Sequence, residues 1–201
     1  PTLSNFEFVT NETPLQINEG EILLEASYVS VDPYLRGRMN DAKSYVPPFQ
    51  LNQPIQSGVV AKVLASKNEK FAVGDFVTGM LNWQTQQISN GKGLMKVDGS
   101  KIPLSAYLGI LGLTGLTAYF GLLEIGQPKA GETLVVSGAA GAVGSVVGQI
   151  GKILGLRVIG IAGSDEKVEL LKSKFGFDEA INYNTSKNIK ADIYKAAPNG
   201  V

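Results

Sequence analysis

Two rhythms of apolar and polar residues divide this chain. From residue 1 to about 103, the runs are short and rich in strand formers. Glu21-Ile-Leu-Leu-Glu-Ala-Ser-Tyr-Val-Ser-Val31 predicts one strand and Gly58–Leu64 a second, while Phe76-Val77 opens a third straight after the turn residues Gly74-Asp75. Asn40 to Pro54 carries three prolines among many polar residues and reads as a loop over a cleft. Pro103 introduces a helical segment, residues 104–126, and Gln127-Pro-Lys-Ala-Gly131 marks a boundary. Beyond it the pattern alternates. Leu134–Val136 reads as a buried parallel strand, and Val143, Val146, Val147, Ile150 and Leu154 recur at helical spacing. A strand at Arg157–Ala162, a helix after Ser164, a short strand at Ala180–Tyr183 and a helix near Ile189–Ala197 follow. Strand and helix in turn predict an α/β unit with a parallel sheet, about half of a six-stranded doubly wound domain. The expected organisation is a mostly-β domain at 1–103, a connecting helical segment at 104–126 and a partial doubly wound α/β domain at 127–201, so the chain reads as a fragment.

Composition narrows the class. A chain of 201 residues with 44% hydrophobic residues can bury a core, and zero formal net charge without a basic stripe argues against nucleic acid as a partner. The apolar stretch Leu104–Ile125 is broken by glycines, Ser, Thr, Tyr and Glu124, so it reads as a buried segment and not a membrane span. The N-terminus is not signal-like. Cysteine is absent, which fits a reducing compartment and a cytoplasmic protein. Histidine is absent too, so this chain cannot build the Cys/His site of a zinc alcohol dehydrogenase, nor offer a thiol nucleophile or an imidazole base. Carboxylates, lysines, tyrosines and a cofactor are left to handle protons.

The chemistry centres on Thr133-Leu-Val-Val-Ser-Gly-Ala-Ala-Gly-Ala-Val-Gly-Ser-Val-Val-Gly148, a strand, a glycine-rich turn and a helix in that order. Gly138, Gly141 and Gly144 stand three apart, a layout that lets backbone approach a pyrophosphate and aims a helix N-terminus at it. Aligned on Gly141 and Gly144, the pattern is A-x-G-x-x-G, with Ala139 where a glycine usually stands; alanine fits if its φ stays negative. The alternative reading is that these glycines serve only tight helix-on-strand packing.

The end of the next strand bears on which dinucleotide is held. Asp165 lies 21 residues after Gly144, where a count would nominate the acid that holds an NAD ribose. Ser164-Asp165-Glu166 reads instead as a helix start, with Ser164 as N-cap and two acids favoured by the helix dipole. The small residue at Gly163 leaves room for a 2′-phosphate, with Ser164 and Lys167 placed to contact it; the alternative for Lys167 is a solvated helix lysine. NADP is favoured over NAD, and no metal is expected.

With these strings in view the chain resembles the zinc-independent medium-chain dehydrogenase/reductases, and within them the prostaglandin reductase, or leukotriene B4 12-hydroxydehydrogenase-like, branch of NADP-dependent alkenal double-bond reductases. The resemblance rests on Val31-Asp-Pro-Tyr-Leu-Arg36, Gly112-Leu-Thr-Gly-Leu-Thr-Ala-Tyr-Phe-Gly-Leu122, Gly138–Ile150, Gly163-Ser-Asp-Glu-Lys167, and Gly176-Phe-Asp178 followed by Asn182-Tyr183. It implies a GroES-like N-terminal domain and a Rossmann nucleotide-binding domain with NADP(H) in the cleft between them. It also implies that Gly141, Ala142, Val143 and Gly144 face the pyrophosphate, Lys167 pairs with the 2′-phosphate, Tyr183 borders the adenosine and Tyr34 lies near a small-molecule substrate. A homodimer is implied as well. Ordinary roles compete: strand-end packing for Tyr183, ring packing in the β domain for Tyr34, capping or packing for Thr114 and Thr117. Tyr183-Asn-Thr-Ser-Lys187 matches the Y-x-x-x-K pair of short-chain dehydrogenases, but it comes off a short strand 39 residues after Gly144 and not from a distant helix, so it is set aside. The activity implied is NADPH-dependent reduction of the C=C bond of α,β-unsaturated carbonyl compounds; a quinone oxidoreductase and a non-catalytic NADP-binding homologue are the alternatives.

Overall fold

β2 (Gln56–Ser66) is the central strand of a five-stranded antiparallel sheet, and its sequence shows why. Val59, Val60 and Ala61 are all fully buried, so both faces of the strand are covered. In the computed structural model, which describes residues 1–10, 12 and 16–201, the sheet order is β4-β1-β2-β3-β5. The partners are β1 (Ile22–Val29), β3 (Phe76–Asn82), β4 (Gln86–Ser89) and β5 (Met95–Val97). Ile22 and Leu24 alternate inward from β1 and meet Val59, Ala61, Val63, Phe71, Val77 and Leu81 in one core. Phe76 starts β3 after the turn at Gly74, whose φ is +91°, as the turn residues predict. β4 and β5 were not evident in the sequence: both are short, and neither has a fully buried side chain.

The first predicted strand ends early. β1 stops at Val29 and the chain turns into a six-residue helix, α1 (Pro33–Arg38), which begins on a proline. Proline at the first helical position loses no hydrogen bond and arrives with a helical φ. The residues described divide into two compact units, Pro1–Leu108 and Gly109–Val201.

In the second unit three parallel strands run in the order β6-β7-β8, with β6 (Thr133–Ser137), β7 (Arg157–Ala162) and β8 (Glu179–Asn182). α2 (Leu113–Phe120) precedes them and continues into a π-helical turn at Gly121–Gly126; α3 (Gly144–Ile153), α4 (Asp165–Ser173) and α5 (Ile189–Ala196) alternate with and follow the strands. This is the α/β arrangement expected, with a mostly-β first unit and a partial Rossmann second one.

Along Leu134–Val136, Val136 is buried and the other two are half-buried, β6 being the outermost of the three parallel strands this chain supplies. In the Leu104–Ile125 stretch Gly115, Ala118 and Leu122 are covered, while Ile110, Leu113, Leu116, Phe120 and Ile125 are exposed. One face of α2 packs within its unit and the other does not.

The stripe of α3 that meets the sheet is made of glycines. Gly144, Gly148 and Gly151 are its buried residues, at i, i+4 and i+7, while Val143, Val146, Val147 and Ile150 are half-buried on the flanks. A side chain on Gly148 would overlap the Phe177 ring, and one on Gly151 would begin 2.8 Å from Leu134. Large residues from the strands and from the α4–β8 connection fill the space the glycines leave.

Candidate dinucleotide site

The glycine turn closes on itself before it opens to solvent. Gly138 follows β6 with φ +58°, and its carbonyl accepts from the Gly141 N–H at 2.9 Å. The Ala139 N–H donates to the Ile161 carbonyl at 3.1 Å, tying the turn to the end of β7. Ala139 itself is fully buried and has a negative φ, as an alanine in the first glycine's place requires.

The two shared glycines have different tasks. A Cβ on Gly144 would lie 2.5 Å from the Gly138 carbonyl oxygen and 2.8 Å from the Ala139 Cα, so helix and turn approach each other only because it is absent. A Cβ on Gly141 would meet only the Gly138 oxygen, at 3.1 Å, and otherwise faces open space. Packing therefore accounts for Gly144 and not for Gly141. Past Gly141, the N–H groups of Ala142 and Val143 donate to no protein acceptor among the described residues, and α3 begins directly behind them. Unpaired donors at a helix start form an anion site. A groove of about 430 Å³ runs from the outer edge of β6 over this turn, lined by Val136, Gly138, Gly141, Val143 and Gly144 among others.

The second cluster stands at the end of β7. Ser164 caps α4 as expected, its Oγ accepting from the Lys167 N–H at 3.3 Å. That bond leaves the Ser164 hydroxyl proton free to donate outward. Lys167 is exposed and forms no salt bridge among the described residues. Asp165 is occupied: its Oδ1 accepts from Asn182 Nδ2 at 2.7 Å, so it belongs to the α4–β8 junction. Tyr183 lies across the strand end, its hydroxyl 2.6 Å from where a side chain on Gly163 would begin. Asn184 Nδ2 donates to the Gly163 carbonyl at 2.7 Å. Asn182 and Asn184 thus shape this corner; Asn182 stands in the Asn182-Tyr183 string the sequence singles out, while Asn184 was passed over. Tyr183 lies in the turn after β8 and Lys187 in a bend beyond it, neither on a helix, which disposes of the Y-x-x-x-K alternative.

Parallel pairing brings the two clusters to one edge. Ser137 pairs with Ile161 and Ala162 with Asn182, so the glycine turn, Ser164–Lys167 and Tyr183 all follow the C-terminal ends of adjacent strands. Ligands of open parallel sheets bind at that edge.

Tyr34 sits in the first unit, on α1, half-buried. Burial foremost, then the negative charge of Asp32, pushes its hydroxyl above the usual phenol pKa, against the opposing pull of Arg38. It is therefore a neutral O–H donor across the physiological range. Arg38, which the sequence reading did not single out, anchors the 40–54 loop: its Nε donates to the Pro47 carbonyl at 3.0 Å and its guanidinium lies 4.0 Å over the Phe49 ring. Thr114 and Thr117 spend their hydroxyls on backbone carbonyls, of Gly109 at 3.0 Å and Leu113 at 2.7 Å.

The described residues contain no cluster of three or more potential metal ligands, and none of their helices is long and apolar enough to cross a membrane. Residues 1–97 match a family described as the N-terminal domain of oxidoreductase, and residues 142–201 one described as zinc-binding dehydrogenase. The chain is 49% identical over 203 residues to prostaglandin reductase 1 of Rattus norvegicus, covering all of this chain and 59% of that protein. It is 45% identical over 205 residues to the NADP(+)-dependent 2-alkenal reductase of Nicotiana tabacum, covering all of this chain and 60% of that one. Among solved structures, CurA of Vibrio vulnificus in complex with NADPH superposes with a TM-score of 0.90 at 46% identity, over all of this chain and 59% of that one. The chain spans about three fifths of the length of the curated relatives it matches.

Proposed function

Because this chain belongs to the medium-chain dehydrogenase/reductases, in the branch of the prostaglandin and alkenal reductases, we propose that it is part of an NADPH-dependent reductase of the C=C bond in α,β-unsaturated carbonyl compounds. The observation that carries the cofactor reading is the shared edge of the parallel sheet. There, the free N–H groups of Ala142 and Val143 and the open flank of Gly141 suit a pyrophosphate. Ser164 and the unpaired Lys167 suit a 2′-phosphate, and Asp165, the acid a count would give to a bare ribose diol, already accepts a hydrogen bond from Asn182. Tyr183, lying over Gly163, offers its ring to the adenosine.

NADPH, when bound, supplies hydride to the β-carbon of the substrate. The chain's own part is to hold the cofactor at this edge and to stabilise the charge that builds on the substrate carbonyl oxygen. Tyr34 is the donor we assign to that oxygen, since it keeps its proton at neutral pH. The α-carbon then takes a proton from solvent or a nearby hydroxyl. No cysteine or histidine in this chain could bind zinc at such a site, so the reading is metal-free despite the name of the second matching family. It includes a homodimeric, cytoplasmic enzyme.

The test is NADPH consumption, followed by absorbance, on adding 2-alkenals and cyclic enones to the full-length protein, with quinones in parallel. Faster turnover of alkenals than of quinones supports the reading. NADPH binding with no consumption across the enone panel overturns it in favour of a nucleotide-binding homologue.

A further inference from the structure

Ser57 is a buried polar side chain near the start of β2, the central strand of the antiparallel sheet. It is fully buried on β2, and its hydroxyl makes two good hydrogen bonds. It donates to the Ser30 carbonyl at 2.7 Å and accepts from the indole N–H of Trp83 at 2.7 Å. Ser30 in turn donates its hydroxyl to Asp32 Oδ2 at 2.7 Å, and its backbone N–H goes to the Gly58 carbonyl at 2.8 Å. Hydrogen bonds thus link Trp83 to Ser57 and Ser57 to the backbone carbonyl of Ser30, whose separate side-chain hydroxyl holds Asp32, two residues before Tyr34.

Asp32 behaves unusually for its position. It is the N-cap of α1, where aspartate normally accepts a hydrogen bond from the first turn of the helix, yet its side chain makes no such bond. The carboxylate is turned back to Ser30 instead. The fold gives up a local cap and orients that charge from the sheet. A buried hydroxyl satisfied on both sides has one geometry available to it, so the β1–α1 turn is held in register with β2.

We propose that Ser57, acting with Trp83 and Ser30, is a positioning residue that fixes the β1–α1 turn and so sets where the Tyr34 hydroxyl is presented. This rests on the assignment of Tyr34 to the substrate carbonyl. Ser57 touches no reacting atom; its effect passes through the turn. The groups that act electrostatically on Tyr34 are Asp32, Arg38 and Tyr45, and releasing the turn changes its distance from all three as well as its burial.

The experiment uses the full-length enzyme with ¹³Cζ-labelled tyrosine, Y34F identifying the Tyr34 resonance. Ser57→Ala and Ser30→Ala are expected to move the Tyr34 ionisation midpoint down toward that of a free tyrosine. They should lower kcat with an enone about tenfold while the KM for NADPH stays within about twofold, the signature of a misplaced donor. On a Y34F background Ser57→Ala should cost nothing further. Ser66→Ala is the control: its hydroxyl bonds Asn68 and Phe71 at the other end of β2, so it should change neither the Tyr34 midpoint nor kcat. Should Ser57→Ala fail to fold, Trp83→Phe breaks the same set of hydrogen bonds from its far end while keeping an aromatic ring. An unmoved Tyr34 midpoint, or an equal loss of kcat on the wild-type and Y34F backgrounds, overturns the proposal. If the wild type consumes no enone, the functional reading falls, and the Tyr34 midpoint still decides the positioning role.

Discussion

Lys152 and Asp178 lock the last turn of α3 to the start of β7. Lys152 Nζ donates to both carboxylate oxygens, at 2.8 and 2.7 Å, and the second oxygen also accepts the Val158 backbone N–H. Asp178 follows Phe177, whose ring occupies the space left by Gly148. One ion pair therefore holds the residue that lets α3 lie close to the sheet, behind the turn that offers Ala142 and Val143.

This pair makes stability depend on acid. Burial alone would raise the Asp178 pKa, but the hydrogen bonds from Lys152 and Val158 and the charges of Lys152 and Arg157 outweigh it and hold the carboxyl below its usual value. A depressed folded-state pKa means the stabilisation is present above the unfolded value, about 3.9, and is lost as pH falls through the folded one. Asp178→Ala should cost about 1–2 kcal/mol at neutral pH, the pair being partly solvated. Urea unfolding should show the gap between variant and wild type closing below about pH 4.

Gly148→Ala sets helix propensity against space. Alanine is the better helix former by about 1 kcal/mol, but its Cβ would overlap the ring of Phe177, a residue only 4% exposed. The clash should win, with a net loss of about 1–3 kcal/mol by thermal or urea unfolding. Adding Phe177→Leu, which removes the obstructing ring atoms, should recover part of that loss.

Gly141 and Gly144 should separate binding from folding. Gly144→Ala drives a methyl into backbone atoms that cannot yield and should lower both Tm and NADPH affinity. Gly141→Ala meets one oxygen at 3.1 Å and should fold with Tm nearly unchanged, while its methyl blocks the approach of the pyrophosphate. A rise in Kd for NADPH of about tenfold or more, by calorimetry, is expected for both.

Lys167 and Ser164 should govern the choice between cofactors. Lys167→Ala should weaken NADPH binding by about ten- to a hundredfold and leave NADH binding unchanged, as loss of one charge-assisted contact to the 2′-phosphate predicts. Ser164→Ala should show the same selectivity and also destabilise the protein by about 1 kcal/mol, because α4 loses its cap. Direct titration with each cofactor separates these effects.

Much of this site was legible because its signals are local. The Gly138–Gly144 spacing, the Ser164 cap with acids behind it and the small residue at Gly163 each depend on neighbours a few residues away, and each appears in the structure where the sequence places it. What was not legible is of another kind. The valines of α3 keep the helical spacing expected, but the stripe that meets the sheet is settled by Phe177, which comes from a segment distant in the chain to fill the space the glycines leave.

By itself the sequence determined the order of strands and helices, the change from a mostly-β unit to an alternating one, the glycine-rich turn between β6 and α3 and the lack of cysteine and histidine in this chain. These follow from backbone propensity and residue chemistry, which act over a single turn or strand. Only the tertiary structure decided that Asp165 is spent on Asn182, that Lys152 meets Asp178 and that Ser57 joins Trp83 to the turn before Tyr34. Each of these links residues 17 to 27 positions apart, and only the packing of strands against strands and helices brings them within reach.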